Sequence, residues 1–157
     1  MSIDLILPIS MVMGLLVFGL AGKWYVVPAL TGRDLKTVFP PFLLLHATRY
    51  VGLAFLIHGV TSEPLDPRFA HPAAYGDLLA AVLALVALAA VRLDWPFSIP
   101  LVWIFNIVGT LDLLYAVFQG MRFVPVDHFG AVFFIPAVIV PVLLVTHAIV
   151  FWLLLKR

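Results

Sequence analysis

Residues 129–155, FGAVFFIPAVIVPVLLVTHAIVFWLLL, hold not one charged side chain. A helix needs about 20 apolar residues to cross the roughly 30 Å hydrocarbon core of a bilayer, and this stretch exceeds that length. Working outward from it, four more stretches of the same character occupy residues 5–27, 39–60, 73–91 and 97–119. The segments between them hold most of the charge and half of the Pro, as turns require. The expected fold is therefore an all-α integral membrane protein, a single bundle of five transmembrane helices.

Composition agrees. The chain has 157 residues, of which 64% are hydrophobic and 11% charged, and its mean hydropathy is +1.18. Soluble domains carry about 25% charged residues, so lipid is the expected solvent and membrane lipid the expected surroundings. There is no cysteine, which excludes disulfides, thiolate metal sites and thioether-linked haem. A formal net charge of +1 points to no nucleic-acid partner. No nucleotide-binding loop, nucleophile elbow or zincin motif occurs. The first span reads as a permanent helix, because Asp4 stands where a signal peptide would be positive and the apolar run continues to Gly22.

With five spans the connections alternate sides. Lys23, Arg33, Lys36, Arg92, Lys156 and Arg157 fall on one side, and only Arg68 and Arg122 on the other. The positive-inside rule then predicts an N-terminus outside, a C-terminus in the cytoplasm and, for a bacterial chain, the inner (plasma) membrane. Asp4, Glu63, Asp66, Asp77 and Asp127 fall outside, with Asp77 expected in the first turn of the third helix, where a carboxylate suits the positive helix end. Trp24, Trp95 and Trp152 fall at the cytoplasmic ends as an aromatic belt. Pro40 and Pro41 are expected to open the second helix, and Pro136 and Pro141 to loosen the fifth. Gly76, Ala80 and Ala84 form a small-residue face on the third helix, suited to close packing inside the monomer or to a seam between copies.

Ionisable groups in the hydrocarbon are costly and need partners. The second span carries His46, Arg49 and Tyr50 at i, i+3 and i+4, one face of an α-helix. The fourth carries Asn106, Thr110 and Asp112, and the fifth Thr146 and His147. At 1.5 Å per residue, His46, Asn106 and His147 lie roughly 9–12 Å from the cytoplasmic ends, with Arg49 and Asp112 deeper. Arg49 is the strong base of this core and Asp112 its expected acid, so an Arg49–Asp112 pair is predicted, helped by Tyr50, Tyr115 or Thr110. The site expected from these residues is a ligand-binding or proton-relay centre between helices 2, 4 and 5. Arg49 would be its cationic anchor, and His46, Tyr50, Asn106, Thr110 and His147 its hydrogen-bonding or proton-transfer groups. Helix 3 is expected only to pack against it.

Other readings stay open. His46 and His147 sit at one depth on two helices and could be axial ligands of a b-type haem in an electron-transfer protein. A lipid- or quinone-modifying enzyme, and a structural subunit of a membrane complex or oligomer, account for the same residues. His58, His71 and His128, near the outer face, are weak metal candidates without a ligand-spacing motif. The segment RYVGLAFLIHGV, residues 49–60, resembles small bacterial membrane proteins of the DoxX type; the likeness covers these residues alone and carries no residue roles and no function with it.

Overall fold

The computed structural model describes residues 3–156; Arg157, counted above with the basic side, lies outside them. Among the described residues, regular structure is helical apart from one isolated bridge between His58 and Thr61. Five helices are long and apolar enough to cross a membrane: α1 (Ile3–Leu30), α2 (Leu35–Leu56), α3 (Pro67–Arg92), α4 (Ser98–Phe123) and α5 (Ile135–Leu155). A short 3-10 segment, Val126–Phe133, leads into α5.

Connections lie at two ends of the bundle. At the basic end, Lys36 in the first turn of α2 pairs with Asp94 of the α3–α4 link at 2.6 Å. At the other end the segment after α2 is pinned to the segment before α5: Ser62 N–H donates to the His128 carbonyl and Ala131 N–H to the Val60 carbonyl, at 3.1 and 3.0 Å. Gly130 makes that approach possible. Its φ is +54°, and a Cβ there would sit 2.6 Å from Ser62 N.

Helix α3 is central, packing on both halves of α2 and along α4. Ala80, Ala84 and Ala87 are fully buried, the latter two in a core with Phe39, Leu43 and Phe105. The small-residue face thus serves packing within the chain. By contrast α1 buries few of its residues and touches the bundle mainly along α5. Gly14 rests on Pro141 there and Gly22 on Ile149 and Val145.

Several expected boundaries shift for local reasons. Helix α3 begins at Pro67, not Ala73: the Asp66 carboxylate accepts from Arg68 N–H at 2.8 Å and Pro67 occupies the first turn, a capped start that needs no proline N–H. Helix α2 begins at Leu35, which puts Pro40 and Pro41 inside it. Lys36 and Thr37, whose carbonyls lose helical partners to those prolines, border an open groove. In α5 the prolines act as expected, since a π-helical turn, Ile135–Ile139, precedes the regular helix Val140–Leu155. The largest departure is in α2, which is α-helical to Ala47 and then 3-10 from Thr48 to Leu56. The Thr48 hydroxyl donates back to the Leu45 carbonyl at 2.7 Å, a local bond that competes with regular helix geometry.

Candidate functional site

The 3-10 stretch sets the centre of the site. Three residues per turn put i, i+3 and i+6 in one line, and its buried residues are Arg49, Gly52 and Phe55. Arg49 is the bulkiest fully buried side chain, with 0% of it exposed. Its three nitrogens are all engaged: Nε donates to Asp77 Oδ1 of α3 at 2.8 Å, Nη1 to the Gly109 carbonyl of α4 at 3.1 Å, and Nη2 to Asp112 Oδ2 of α4 at 2.5 Å.

The Arg49–Asp112 pair between α2 and α4 is thus present, but it is half of the arrangement. Asp77 is the missed residue. The earlier start of α3 carries it past the first turn into the buried interior, so it is not an end-of-helix charge, and Asp112 is not the sole acid of the core. The Asp66–Pro67 cap was the sequence signal that could have placed it.

Glycine makes room for each member. A Cβ at Gly52 would overlap the Asp77 carboxylate, and one at Gly76 would overlap the Asp112 carboxylate. A Cβ at Gly109 would lie 2.8 Å from His147 Cε1 and 3.0 Å from Arg49 Nη1. These distances are below van der Waals contact, so three helices approach here only because these positions lack side chains.

A second polar layer lies beside the first, toward the basic end. The Asn106 amide donates to the His147 carbonyl at 3.2 Å, so its Oδ1 accepts from His147 Nδ1–H at 2.7 Å. The Thr146 hydroxyl donates to the Val142 and Leu143 carbonyls, so it accepts from His46 Nε2–H at 3.0 Å. These bonds set both tautomers. They leave His46 Nδ1 and His147 Nε2 as buried acceptors without a partner. The two rings lie 4.0 Å apart at their centroids, with Phe105 against both.

The remaining site expectations sort by direction. His46, Asn106 and His147 share one layer, as their depths implied. Tyr50 is exposed, because the 3-10 turn that aims Arg49 inward turns its neighbour out. Thr110 bonds its own helix at the Asn106 carbonyl, and Tyr115 pairs with Gln119 on the surface, so none of the three assists Arg49. A haem held axially by His46 and His147 does not fit. Metal–nitrogen bonds of about 2 Å would hold the ring centres about 6 Å apart or more, whereas they stand 4.0 Å apart with His46 Nε2 and His147 Nδ1 already bonded. His58, His71 and His128 are not gathered into a set of three or more metal-ligating side chains among the described residues.

A small cavity of about 30 Å³, room for a water or two, lies on the other side of the Arg49 layer. All five helices contribute to its wall: Met11 of α1, Phe55 of α2, Phe69 of α3, Leu113 of α4 and Val140 of α5 are among the lining residues, with Phe129 of the 3-10 segment. Its one ionisable lining residue is Asp77. Arg49 is not among the lining residues: Asp77 faces the cavity, and Arg49 stands behind it.

Among curated proteins and solved structures, no match is found. A family described as a domain of unknown function, DUF8737, matches residues 6–155. The match covers nearly the whole chain, and the chain belongs to that family.

Proposed function

We propose that this is an integral membrane protein, with five transmembrane helices, its N-terminus outside and its C-terminus cytoplasmic in an inner (plasma) membrane, that binds a small or amphiphilic ligand in the cavity ending at Asp77. Membrane insertion is supported by the broad apolar surface: Leu16, Val17, Leu44, Leu85, Leu111 and Phe118 are all exposed on helices that could span a bilayer, far more apolar surface than a monomer keeps in water. Orientation is supported by Arg33, Lys36, Arg92 and Lys156 at one end.

One observation carries the ligand reading. A small apolar cavity bounded by all five helices, which a ligand would have to widen by parting the lining side chains, ends on a single carboxylate that is itself held by a buried guanidinium. Binding sites combine an apolar wall with a few fixed polar groups in this way. The test is mass spectrometry of the protein purified in mild detergent. A small molecule retained in stoichiometric amount is expected, and it should be lost from Ala116→Phe, which fills the cavity. No retained molecule in the wild type, or unchanged retention in Ala116→Phe, refutes the reading.

Proton transfer is a second reading, favoured by the unpartnered His46 Nδ1 and His147 Nε2, two buried ring nitrogens side by side that are free to accept. It predicts proton flux into proteoliposomes that falls on His147→Ala.

A further inference from the structure

Helix α1 packs its backbone along α5 and not along α2, the next helix in the chain. The gap this leaves between α1 and α2 is an open groove of about 370 Å³, lined by Leu30, Arg33, Thr37, Phe42 and Leu45 together with Thr146 of α5. It runs on past Val26, Phe42 and Thr146 into a further space of about 140 Å³ that reaches Phe18 and Val142. From Leu30 to Phe18 is roughly 18 Å at 1.5 Å per residue. The groove thus has a basic mouth at one end of the bundle and an apolar course toward the middle of the helices.

A second groove, of about 400 Å³, lies on the α3 side of the same part of α2. Thr37 and Pro41 border both grooves and so form a ridge between them. Lys36 and Arg92 stand in the second groove beside Leu44 and Val91. Among the described residues, Arg33 and Arg92 have no ion pair, side-chain hydrogen bond or ring contact, and the Thr37 hydroxyl has no partner. Of the acids nearby, Asp94 is held by Lys36, and Asp34 lines neither groove. Unpaired guanidinium groups suit phosphate, which accepts two parallel hydrogen bonds from one arginine. Trp24 and Trp95 are exposed at this end, the level at which indole rings meet lipid headgroups.

We propose that this face binds an anionic phospholipid of the adjoining leaflet, its phosphate over the ridge of Thr37 and Pro41 between Arg33 and Arg92, with one acyl chain in each groove. The proposal rests on the reading of the chain as a membrane protein and is separate from the Asp77 cavity, so either site can fail without the other. The chain in the α1–α2 groove would lie against Thr146, whose hydroxyl holds His46, and the lipid would then border the histidine layer.

The test uses the full chain, delipidated in mild detergent, and two probes with the same acyl chains and phosphate, dioleoylphosphatidylglycerol (net anionic) and dioleoylphosphatidylcholine (net neutral). Native mass spectrometry reads the Kd of the first bound lipid. One basic side chain at a membrane surface is worth about five-fold in affinity for an anionic lipid, so phosphatidylglycerol should bind about ten-fold or more tighter than phosphatidylcholine. Arg33→Gln and Arg92→Gln should each cut that preference by about five-fold, while Arg122→Gln, at the opposite end, should leave it unchanged. Val26→Trp, which fills the first groove, should weaken both lipids, and so should Leu44→Trp in the second; Leu44 is exposed, which keeps this arm decisive if Val26→Trp does not fold. Ala116→Phe, in the Asp77 cavity, should weaken neither lipid. Equal binding of the two lipids by the wild type, or a preference that Arg122→Gln reduces as much as Arg33→Gln does, overturns the headgroup assignment. Unchanged binding in the folded tryptophan variants, or a loss in Ala116→Phe, overturns the placement of the chains.

Discussion

Replacing Arg49 with Met removes three hydrogen bonds at once and leaves two carboxylates facing each other without a cation. Removing one partner of a buried ion pair costs about 3–5 kcal/mol, mostly because the survivor stays desolvated. Here the survivors are 11% and 15% exposed, too little for water to replace the guanidinium. In a chain of this length 1 kcal/mol moves the unfolding midpoint by about 2–4 °C, so Arg49→Met should lower it by about 6–20 °C. The converse changes are milder. Asp77→Asn or Asp112→Asn leaves Arg49 with one carboxylate and an amide oxygen that still accepts, and each should cost about 1 kcal/mol. The triple change Arg49→Met, Asp77→Asn, Asp112→Asn removes all three formal charges and should recover at least half of what Arg49→Met loses. Thermal unfolding in a single detergent, followed by tryptophan fluorescence, measures all four. The reasoning fails if either single Asp→Asn change is as damaging as Arg49→Met, or if the triple variant is no more stable than Arg49→Met.

Three further outcomes are expected. Gly76→Ala should destabilise by about 1–3 kcal/mol through overlap with the Asp112 carboxylate, whereas Gly19→Ala, with nothing within 4 Å, should stabilise by about 0.5–1 kcal/mol; paired denaturation curves decide, and equal effects would remove the close-approach argument. Asn106→Leu strands the His147 ring N–H and should cost about 1–3 kcal/mol, while Thr110→Val, which breaks only a bond within its own helix, should stay within about 0.5 kcal/mol. The Arg68 side-chain hydrogen bond pulls the Asp66 carboxyl down to about 2. A lowered folded-state value means that the cap is intact above the ordinary carboxylate range and is lost as pH falls toward 2. Amide exchange at Phe69 and Ala70 should therefore accelerate, after correction for intrinsic rates, only between about pH 4 and pH 2.

Much of the buried polar set was legible because a bilayer interior tolerates few unpartnered groups. Depth counted along each apolar run was enough to join His46, Asn106 and His147 in one layer, and desolvation alone required Arg49 to find an acid. Asp77 was misplaced by a boundary. Reading the third helix from Ala73 put its carboxylate in the first turn, whereas Asp66 and Pro67 start the helix earlier and carry Asp77 to the depth of Arg49. Tyr50 was misplaced by a period. Over the six residues from Arg49 to Phe55, 3-10 and α geometry differ by about 120° of rotation, enough to change which side chains share a face.

The amino-acid sequence by itself determined that the chain forms five long apolar helices and that the few ionisable groups within them must be partnered. Both follow from composition summed along a local run, since hydropathy and desolvation need no knowledge of neighbours. Tertiary structure alone decided that two acids share one guanidinium, that Gly52, Gly76 and Gly109 are the points of closest approach, and that Asp77 rather than Arg49 faces the cavity. Those outcomes depend on the rotation of each helix about its axis and on contacts between residues far apart in the chain, such as Arg49 with Asp77 and Asp112, and no local run of residues encodes them.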